Sequence, residues 1–363
     1  MQHVDRRLFQ NVDWVLLTAA CALVLMSVMT LATLSVGRAA GVIAVRQAAW
    51  FGVGLVALLT VASLDYRRLV RAAPALYLLG LVGLALVYAF GRAVSGARRW
   101  IVLGPLSVQP SELFKVAFVL MTVWVITSRW AQPAGRATLA MTLPIAAVPF
   151  VLIIKQPDLG TALLLFPVLM VLLIGAGLGF RLLGGALAAS LAALPLAWLV
   201  LKDYQRERIL VFLDPFRDPL GSAYNVIQAK IAIGSGQLLG KGVAGATQSR
   251  LAFLPERHTD FVFAVFAETW GFVGCLALLT CYLLLLLRGF DIAGSSREPV
   301  GRLVALGVTS LLAAQVVINV GMVTGLLPVV GIPLPLMSYG GSSMLASLVA
   351  IGLLLSVRMR QFQ

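Results

Sequence analysis

Apolar runs of about 17–25 residues recur along the whole chain, and that pattern leaves few folds open. Each run is long enough to cross a hydrocarbon core of about 30 Å. Lipid offers no partner for backbone N–H and C=O groups, so only helices and closed barrels span it, and continuous apolar runs select helices. The composition agrees: 60% of the 363 residues are hydrophobic and 12% are charged, against roughly 25% charged in soluble domains. Ten spans are expected, roughly 13–35, 46–63, 72–90, 111–127, 139–154, 160–177, 181–201, 261–287, 302–324 and 341–357. The first is too long for a signal-peptide core and is followed by Arg38 rather than a cleavage site, so it reads as an uncleaved span. The expected fold is an all-α polytopic membrane protein, a single transmembrane domain over 1–363. Both termini are cytoplasmic, and one long extracytoplasmic loop, 202–260, carries short amphipathic helices.

The formal charge of +14 must be apportioned by membrane side before it says anything about nucleic acid. With the N-terminus cytoplasmic, the inner pieces hold Arg6, Arg7, Arg67, Arg68, Arg71, Arg129, Arg136, Arg181, Arg288, Arg297, Arg302, Arg358 and Arg360, as the positive-inside bias requires. The other cations fall outside, around Arg98-Arg99 and between Lys202 and Arg257. An anionic ligand is the natural reason, and nucleic acid is not expected as a partner. Cys21, Cys275 and Cys281 lie inside apolar runs, which argues against a disulfide framework. Two histidines are too few for an imidazole metal cluster. There is no P-loop pattern, so no nucleotide is expected.

Four polar constellations interrupt the apolar pattern. Gly96-Ala97-Arg98-Arg99-Trp100-Ile101 pairs arginines suited to phosphate with an indole suited to a sugar face or to the headgroup layer. Downstream, Pro110 can open a helix that carries Glu112 and Lys115 at i, i+3 on one face, inside an otherwise apolar span. Lys155-Gln156-Pro157-Asp158-Leu159-Gly160-Thr161 forms a tight turn in which Asp158 either caps the next helix or joins a site. The third runs from Arg208 through Phe212-Leu213-Asp214-Pro215 and Asp218-Pro219-Leu220-Gly221-Ser222. It ends at Pro255-Glu256-Arg257-His258-Thr259-Asp260, where Thr259 or Asp260 is a potential cap. Between them, Ala223, Val226, Ile227 and Ile231 fall at helical spacing opposite Asn225, Gln228 and Lys230, and a Gly-rich run follows. The fourth, Pro333-Leu334-Pro335-Leu336-Met337-Ser338-Tyr339-Gly340-Gly341-Ser342-Ser343, re-enters the last span and suits a cavity lining at membrane depth. Each has a plain structural reading alone, but all four face the outer side in this topology.

Taken together and in this order, these residues resemble the SEDS family of cell-wall polymerases, the group of RodA and FtsW. The likeness covers essentially the whole chain. The run Phe212-Leu213-Asp214-Pro215, then Asp218 to Ser222, then Val226 to Gly236, is similar to the elongation (RodA) branch. The family often shows paired glutamates where this chain has Glu268-Thr269, and a second glycine where it has Gln237. The resemblance implies peptidoglycan glycosyltransferase activity, polymerising lipid II into glycan strands at the outer leaflet of the bacterial inner membrane with release of undecaprenyl diphosphate. It implies a class B penicillin-binding protein as transpeptidase partner, with membrane proteins of the elongation machinery around it. By motif position Asp260 carries over as the catalytic aspartate, with Glu112 and Lys115 as the ion pair near the cavity.

The residue chemistry suits that reaction. Glycosyl transfer to a hydroxyl needs a base, and a partly desolvated carboxylate has its pKa raised toward neutrality. Asp260 is the expected base. Arg98, Arg99 or Lys115 would hold the departing diphosphate. Trp100, Asp158, Arg208, Lys230, Ser338, Tyr339 and Ser342 are the further substrate-binding candidates. A divalent cation, Mg2+ or Mn2+, is a candidate to share the task, with Asp260 and Glu112 as candidate ligands. Two other function classes fit the same pattern. One is a lipid II flippase, which would need polar groups in the cytoplasmic half of its spans as well. The other is a scaffold that only positions a partner synthase.

Overall fold

A computed structural model describes residues 11–361 except 35–39, 95–96, 104–105, 129–134, 193–197, 199–202, 215–217, 219–220, 222 and 251–253. In order come α1 (Trp14–Thr33), α2 (Ala40–Ser63), the short α3 (Tyr66–Arg71) and α4 (Ala73–Phe90). A three-stranded antiparallel ribbon follows, β1 (Arg92–Val94), β2 (Ala97–Leu103) and β3 (Leu106–Val108). Next are α5 (Pro110–Thr127), α6 (Arg136–Lys155), α7 (Leu159–Gly175), α8 (Phe180–Ala192), α9 (Asp203–Leu213) and α10 (Tyr224–Gly236). The chain ends with α11 (Gly242–Gly245), α12 (Thr247–Arg250), α13 (Val262–Ser295), α14 (Pro299–Thr324) and α15 (Gly341–Arg360).

Eight of these helices, α1, α2, α4, α5, α6, α13, α14 and α15, are long and apolar enough to cross a membrane. α7 is apolar over 17 residues. α8 covers the first part of the expected span 181–201, of which 193–197 and 199–201 lie outside the described residues. Nine of the ten expected spans thus have apolar helical counterparts in the expected order, and α8 begins where the remaining one is expected. Local chemistry sets several starts. Asp13 accepts from Leu16 N at 3.0 Å, Asp65 accepts from Arg67 N at 2.8 Å, and Pro110 and Pro299 open α5 and α14, where a missing N–H costs nothing.

The centre of the bundle is α15, α14 and α5, whose most apolar windows are 83%, 67% and 61% buried; α2, α4, α6 and the apolar stretch of α13, at 22%, form the rim. Rim residues such as Val45, Val56 and Leu79 are exposed, as expected where lipid is the solvent. The segment between α14 and α15 is non-helical yet buried at Ile332, Leu334, Leu336, Met337 and Ser338. Its carbonyls are satisfied from neighbouring spans. Asn319 Nδ2 donates to Ile332 O at 2.7 Å, Tyr282 Oη to Pro335 O at 2.6 Å, Ser27 Oγ to Met337 O at 2.6 Å and Gln47 Nε2 to Ser338 O at 3.1 Å. Irregular backbone survives at membrane depth under those terms.

Three features differ from the expectation. The ribbon at 92–108 replaces what the sequence presents as a plain loop; two of its strands are only three residues long, which is too little alternation to be read. α13 runs to Ser295 and is broken at Gly271 (φ 66°, ψ −164°). The segment 237–241 docks into that break: Phe272 N donates to Gln237 O at 2.8 Å, Val273 N to Leu238 O at 3.1 Å and Lys241 N to Glu268 O at 2.9 Å. A Cβ on Gly240 would lie 2.2 Å from Thr269 O, and one on Gly271 would lie 2.2 Å from Gly240 N, so only glycines permit the docking. Finally, α10 buries Ala229, Ala232 and Gly236 and leaves Ile231 exposed, so of the expected set Ala223, Val226, Ile227 and Ile231 only Ala223, at the cap, is buried. Close approach to α13 needs small side chains, which outweighs the bulkier apolar set.

Candidate active site

The segment before α13 places Asp260. Neither Thr259 nor Asp260 caps the helix, since the cap position is Phe261 and no side chain bonds there. Instead three consecutive carbonyls are held from outside. Tyr339 N donates to His258 O at 2.8 Å, Ser338 Oγ to Thr259 O at 2.6 Å and Asn319 Nδ2 to Asp260 O at 3.0 Å. The backbone is pinned while the Asp260 carboxylate makes no hydrogen bond or ion pair among the described residues. Gly331, at φ 74°, lies over it: a Cβ there would sit 3.2 Å from Oδ2.

Burial raises the Asp260 carboxyl to about 6. Glu256 pushes it further up, Arg99 and Arg208 pull it down, and Asp158 adds a smaller upward push. The residue nonetheless keeps part of its surface open. His258, beside Tyr339 at 5.9 Å between ring centroids, is driven down by burial, with Glu256 opposing and Arg257 assisting.

A second cluster lies where β2, α5 and α7 meet. Asp158 caps α7 by accepting from Thr161 N at 3.3 Å, and it also faces Arg99 at 3.8 Å and Gln109 Nε2 at 3.4 Å. Capping and site membership coexist there. Arg99 also donates to Pro157 O, and its Nε is buried without a partner. Gln109, at the mouth of α5, donates its N–H to Ser342 Oγ at 2.9 Å. One turn on, Lys115 Nζ donates to Glu112 Oε1 at 2.8 Å, with side chains 2% and 3% exposed.

A third group lines a cleft between α9, α10 and the segment after α14, and includes Arg208, Lys230, Gly325 and Val329. Arg208 donates to Val329 O at 3.3 Å. Lys230 is exposed and makes no hydrogen bond or ion pair among the described residues. Trp100 is half-buried in β2 opposite Arg92. Arg98 lies in the same strand, opposite Ala93, and its side chain is outside the described residues. The structure therefore gathers Asp260, Arg99, Asp158 and Arg208 within electrostatic reach. Gln109 and Ser342 link Asp158 to the start of the helix that carries Glu112 and Lys115. Among the described residues no three His, Cys, Asp or Glu side chains converge as a metal cage. The arrangement offers an unpaired carboxylate of raised pKa beside fixed cations, a combination suited to proton abstraction next to a bound anion.

The model of the FtsW/RodA/SpoVE group, described as cell cycle proteins, matches residues 8–363. The chain belongs to that family. Peptidoglycan glycosyltransferase MrdB of Escherichia coli is 44% identical over 313 residues, 86% of this chain and 84% of that protein. Probable peptidoglycan glycosyltransferase FtsW of Geobacter metallireducens is 36% identical over 319 residues, 87% and 84%. A chain solved in a peptidoglycan synthase complex that couples polymerisation and crosslinking superposes with a TM-score of 0.83 at 38% identity, covering 97% of this chain and 99% of that one. The rod shape determining protein RodA of Thermus thermophilus gives 0.73 at 34% identity, covering 97% and 98%.

Two departures from the FtsW/RodA/SpoVE pattern now have a structural setting. Glu268 is buried and accepts from Gln248 N and Ser249 N, both at 2.9 Å, and from Ser249 Oγ at 2.5 Å. That carboxylate holds α12 in place, whereas Thr269 turns its hydroxyl back to Val265 O at 2.8 Å. Gln237 adopts φ 48°, the region where a glycine is at ease. Sequence reasoning passed over Asn319 and Gln47, both fully buried. The available signal was a polar amide inside an apolar run.

Proposed function

We propose that Asp260 is the general base of glycan-strand extension in this chain. The chain is a peptidoglycan glycosyltransferase, and the glycosyltransferase names of its relatives favour the enzyme over the flippase. The observation that carries the residue assignment is the Asp260 carboxylate itself, unpartnered on a pinned backbone, raised to about 6 and flanked by Arg99 and Arg208. In the proposed step, the 4-hydroxyl oxygen of the acceptor sugar attacks the anomeric carbon of lipid-linked disaccharide-peptide. The bond from that carbon to the diphosphate oxygen breaks, and the hydroxyl proton passes to Asp260. Undecaprenyl diphosphate leaves into the field of the cations, where Arg99, Arg208 and Lys230 are the groups best placed to receive it; Arg98 and Lys115 complete the set.

Trp100, Asp158, Ser338, Tyr339 and Ser342 would shape the surroundings of the substrate. Ser338 and Ser342 would do so through the backbone groups they hold. A divalent cation of the Mg2+ or Mn2+ type would be carried by the substrate diphosphate rather than by protein carboxylates, since Glu112 is committed to Lys115 and Asp260 takes the proton. Its contribution would be to neutralise phosphate charge.

The site would lie at the outer leaflet of the bacterial inner membrane. What supports this is the opposite end of the bundle, where Arg67, Arg288, Arg297, Arg302, Arg358 and Arg360 gather, as expected of a cytoplasmic face. A class B penicillin-binding protein is the proposed partner within the elongation machinery; a relative solved in a peptidoglycan synthase complex supports it. Reconstituted protein given lipid II, with its partner, should form glycan strands, and Asp260→Ala should form none. Strands made by Asp260→Ala at the wild-type rate would overturn the base assignment.

A further inference from the structure

The side chain that holds Asp260 from below is Asn319, in the last turns of α14. It is fully buried. Its Nδ2 donates both protons to carbonyls, Asp260 O at 3.0 Å and Ile332 O at 2.7 Å. Two carbonyl partners fix the amide orientation, because only the NH2 side can serve both. That leaves Oδ1 buried and without a partner, a cost of about 1–3 kcal/mol for a group of this kind. An apolar residue would avoid that cost but would leave the Asp260 and Ile332 carbonyls without this donor. What the amide secures is a tie between two segments far apart in sequence. One carries the Asp260 carboxylate, and the other carries Gly331, the residue whose missing side chain keeps that carboxylate uncovered.

We propose that Asn319 is a positioning residue for the glycosyl transfer, clamping the Asp260 and Ile332 backbones so that the carboxylate stays open toward the acceptor hydroxyl. Ser338 is the second jaw of the same clamp. Its hydroxyl accepts from Leu334 N at 2.8 Å and donates to Thr259 O, while Gln47 holds its carbonyl. The inference rests on Asp260 acting as base. Misplacement of a reacting group by about 1 Å costs about a hundredfold in rate, and a clamp acts on that geometry without touching substrate.

The test uses the full chain with its partner in proteoliposomes, and lipid II as substrate. Asn319→Ala should lower kcat about a hundredfold and leave KM for lipid II within about twofold, since no group that would bind the diphosphate has changed. The acid limb of the pH–rate profile should also move below its wild-type position near 6. A released loop admits water to the carboxylate, while Glu256, Arg99, Arg208 and Asp158, the charged groups facing it, remain. Ser338→Ala should reproduce both changes at smaller size. A fall in kcat with the acid limb unmoved, or a matching rise in KM, would overturn the assignment. Failure of both variants to fold would do so too, because the clamp would then serve the fold alone. Strand formation by Asp260→Ala would instead defeat the base reading on which the clamp depends.

Discussion

Lys115→Met leaves the Glu112 carboxylate buried without its cation, and the structure sets the size of the effect. The pair sits at 2.8 Å with side chains 2% and 3% exposed. Its gross attraction at an effective dielectric of about 20 is about 6 kcal/mol, and desolvation of both groups offsets most of it. Removing one partner from such a pair costs about 3–5 kcal/mol, whereas replacing both by apolar side chains of similar volume is neutral or stabilising. Unfolding of the detergent-solubilised protein should therefore show a loss of about 3–5 kcal/mol for Lys115→Met, and recovery in Glu112→Leu combined with Lys115→Met. Polymerisation of lipid II, measured on the same preparations, should stay lost in both. The double variant separates the two roles the pair can play. If it recovers stability and also polymerises at the wild-type rate, the pair is a staple and its place in the site is wrong. A loss under about 1 kcal/mol in the single variant would refute the burial argument itself.

The raised carboxyl of Asp260 predicts an acid limb near pH 6. The base form is the active one, so the rate falls below that pH, to about a tenth one unit lower. Glu256→Gln removes an upward push and should move the limb to lower pH, while Arg208→Ala removes a downward pull and should move it up; a pH–rate series on the three proteins reads both signs. Gly271→Ala places a methyl against Gly240 N at a positive φ. It should cost more than about 2 kcal/mol, read as a lower unfolding midpoint, with loss of protection from hydrogen exchange at Phe272 and Val273. Thorough chelation should slow polymerisation with Mg2+ or Mn2+ restoring it, and an unchanged rate would remove the cation from the reaction.

The spans were legible because length and apolarity alone select a membrane helix, and the helix starts at Pro110 and Asp158 because capping is local. The meeting of Arg99, Asp158 and Asp260 followed from topology, since loops on one membrane side have little room to stay apart. Local patterning fails where contact depends on what a residue lacks. Gly271 looks like any glycine in an apolar run until the segment 237–241 is docked against it. On α10 the bulky set advertised itself, yet the packing used Ala229, Ala232 and Gly236. Gln47 and Asn319 failed for another reason. Their importance lies in which carbonyls they reach, and no spacing rule joins Gln47 to Ser338 or Asn319 to Ile332.

The two ends of the bundle are fastened differently. Away from Asp260, three arginines tie helix ends together. Arg288 meets Asp13 at 2.6 Å, Arg67 meets Glu298 at 2.6 Å, and buried Arg360 donates to the carbonyls of Ala62, Ser63 and Ser356. Contacts of that kind fix how the helix ends sit. The three carbonyls from His258 to Asp260 are fastened by neutral groups, the backbone N–H of Tyr339, the hydroxyl of Ser338 and the amide of Asn319, while the cations Arg99 and Arg208 hold the carbonyls of Pro157 and Val329 further off. Neutral clamps hold geometry without neutralising the carboxylate they hold. An arginine in the place of Asn319 would pin the same carbonyls and bring a positive charge to Asp260, lowering its pKa and weakening it as a base. Uncharged fastening around a charged group is therefore a requirement of a site that must be rigid and basic together. The placement of Asn319 meets it at the expense of one unpaired oxygen.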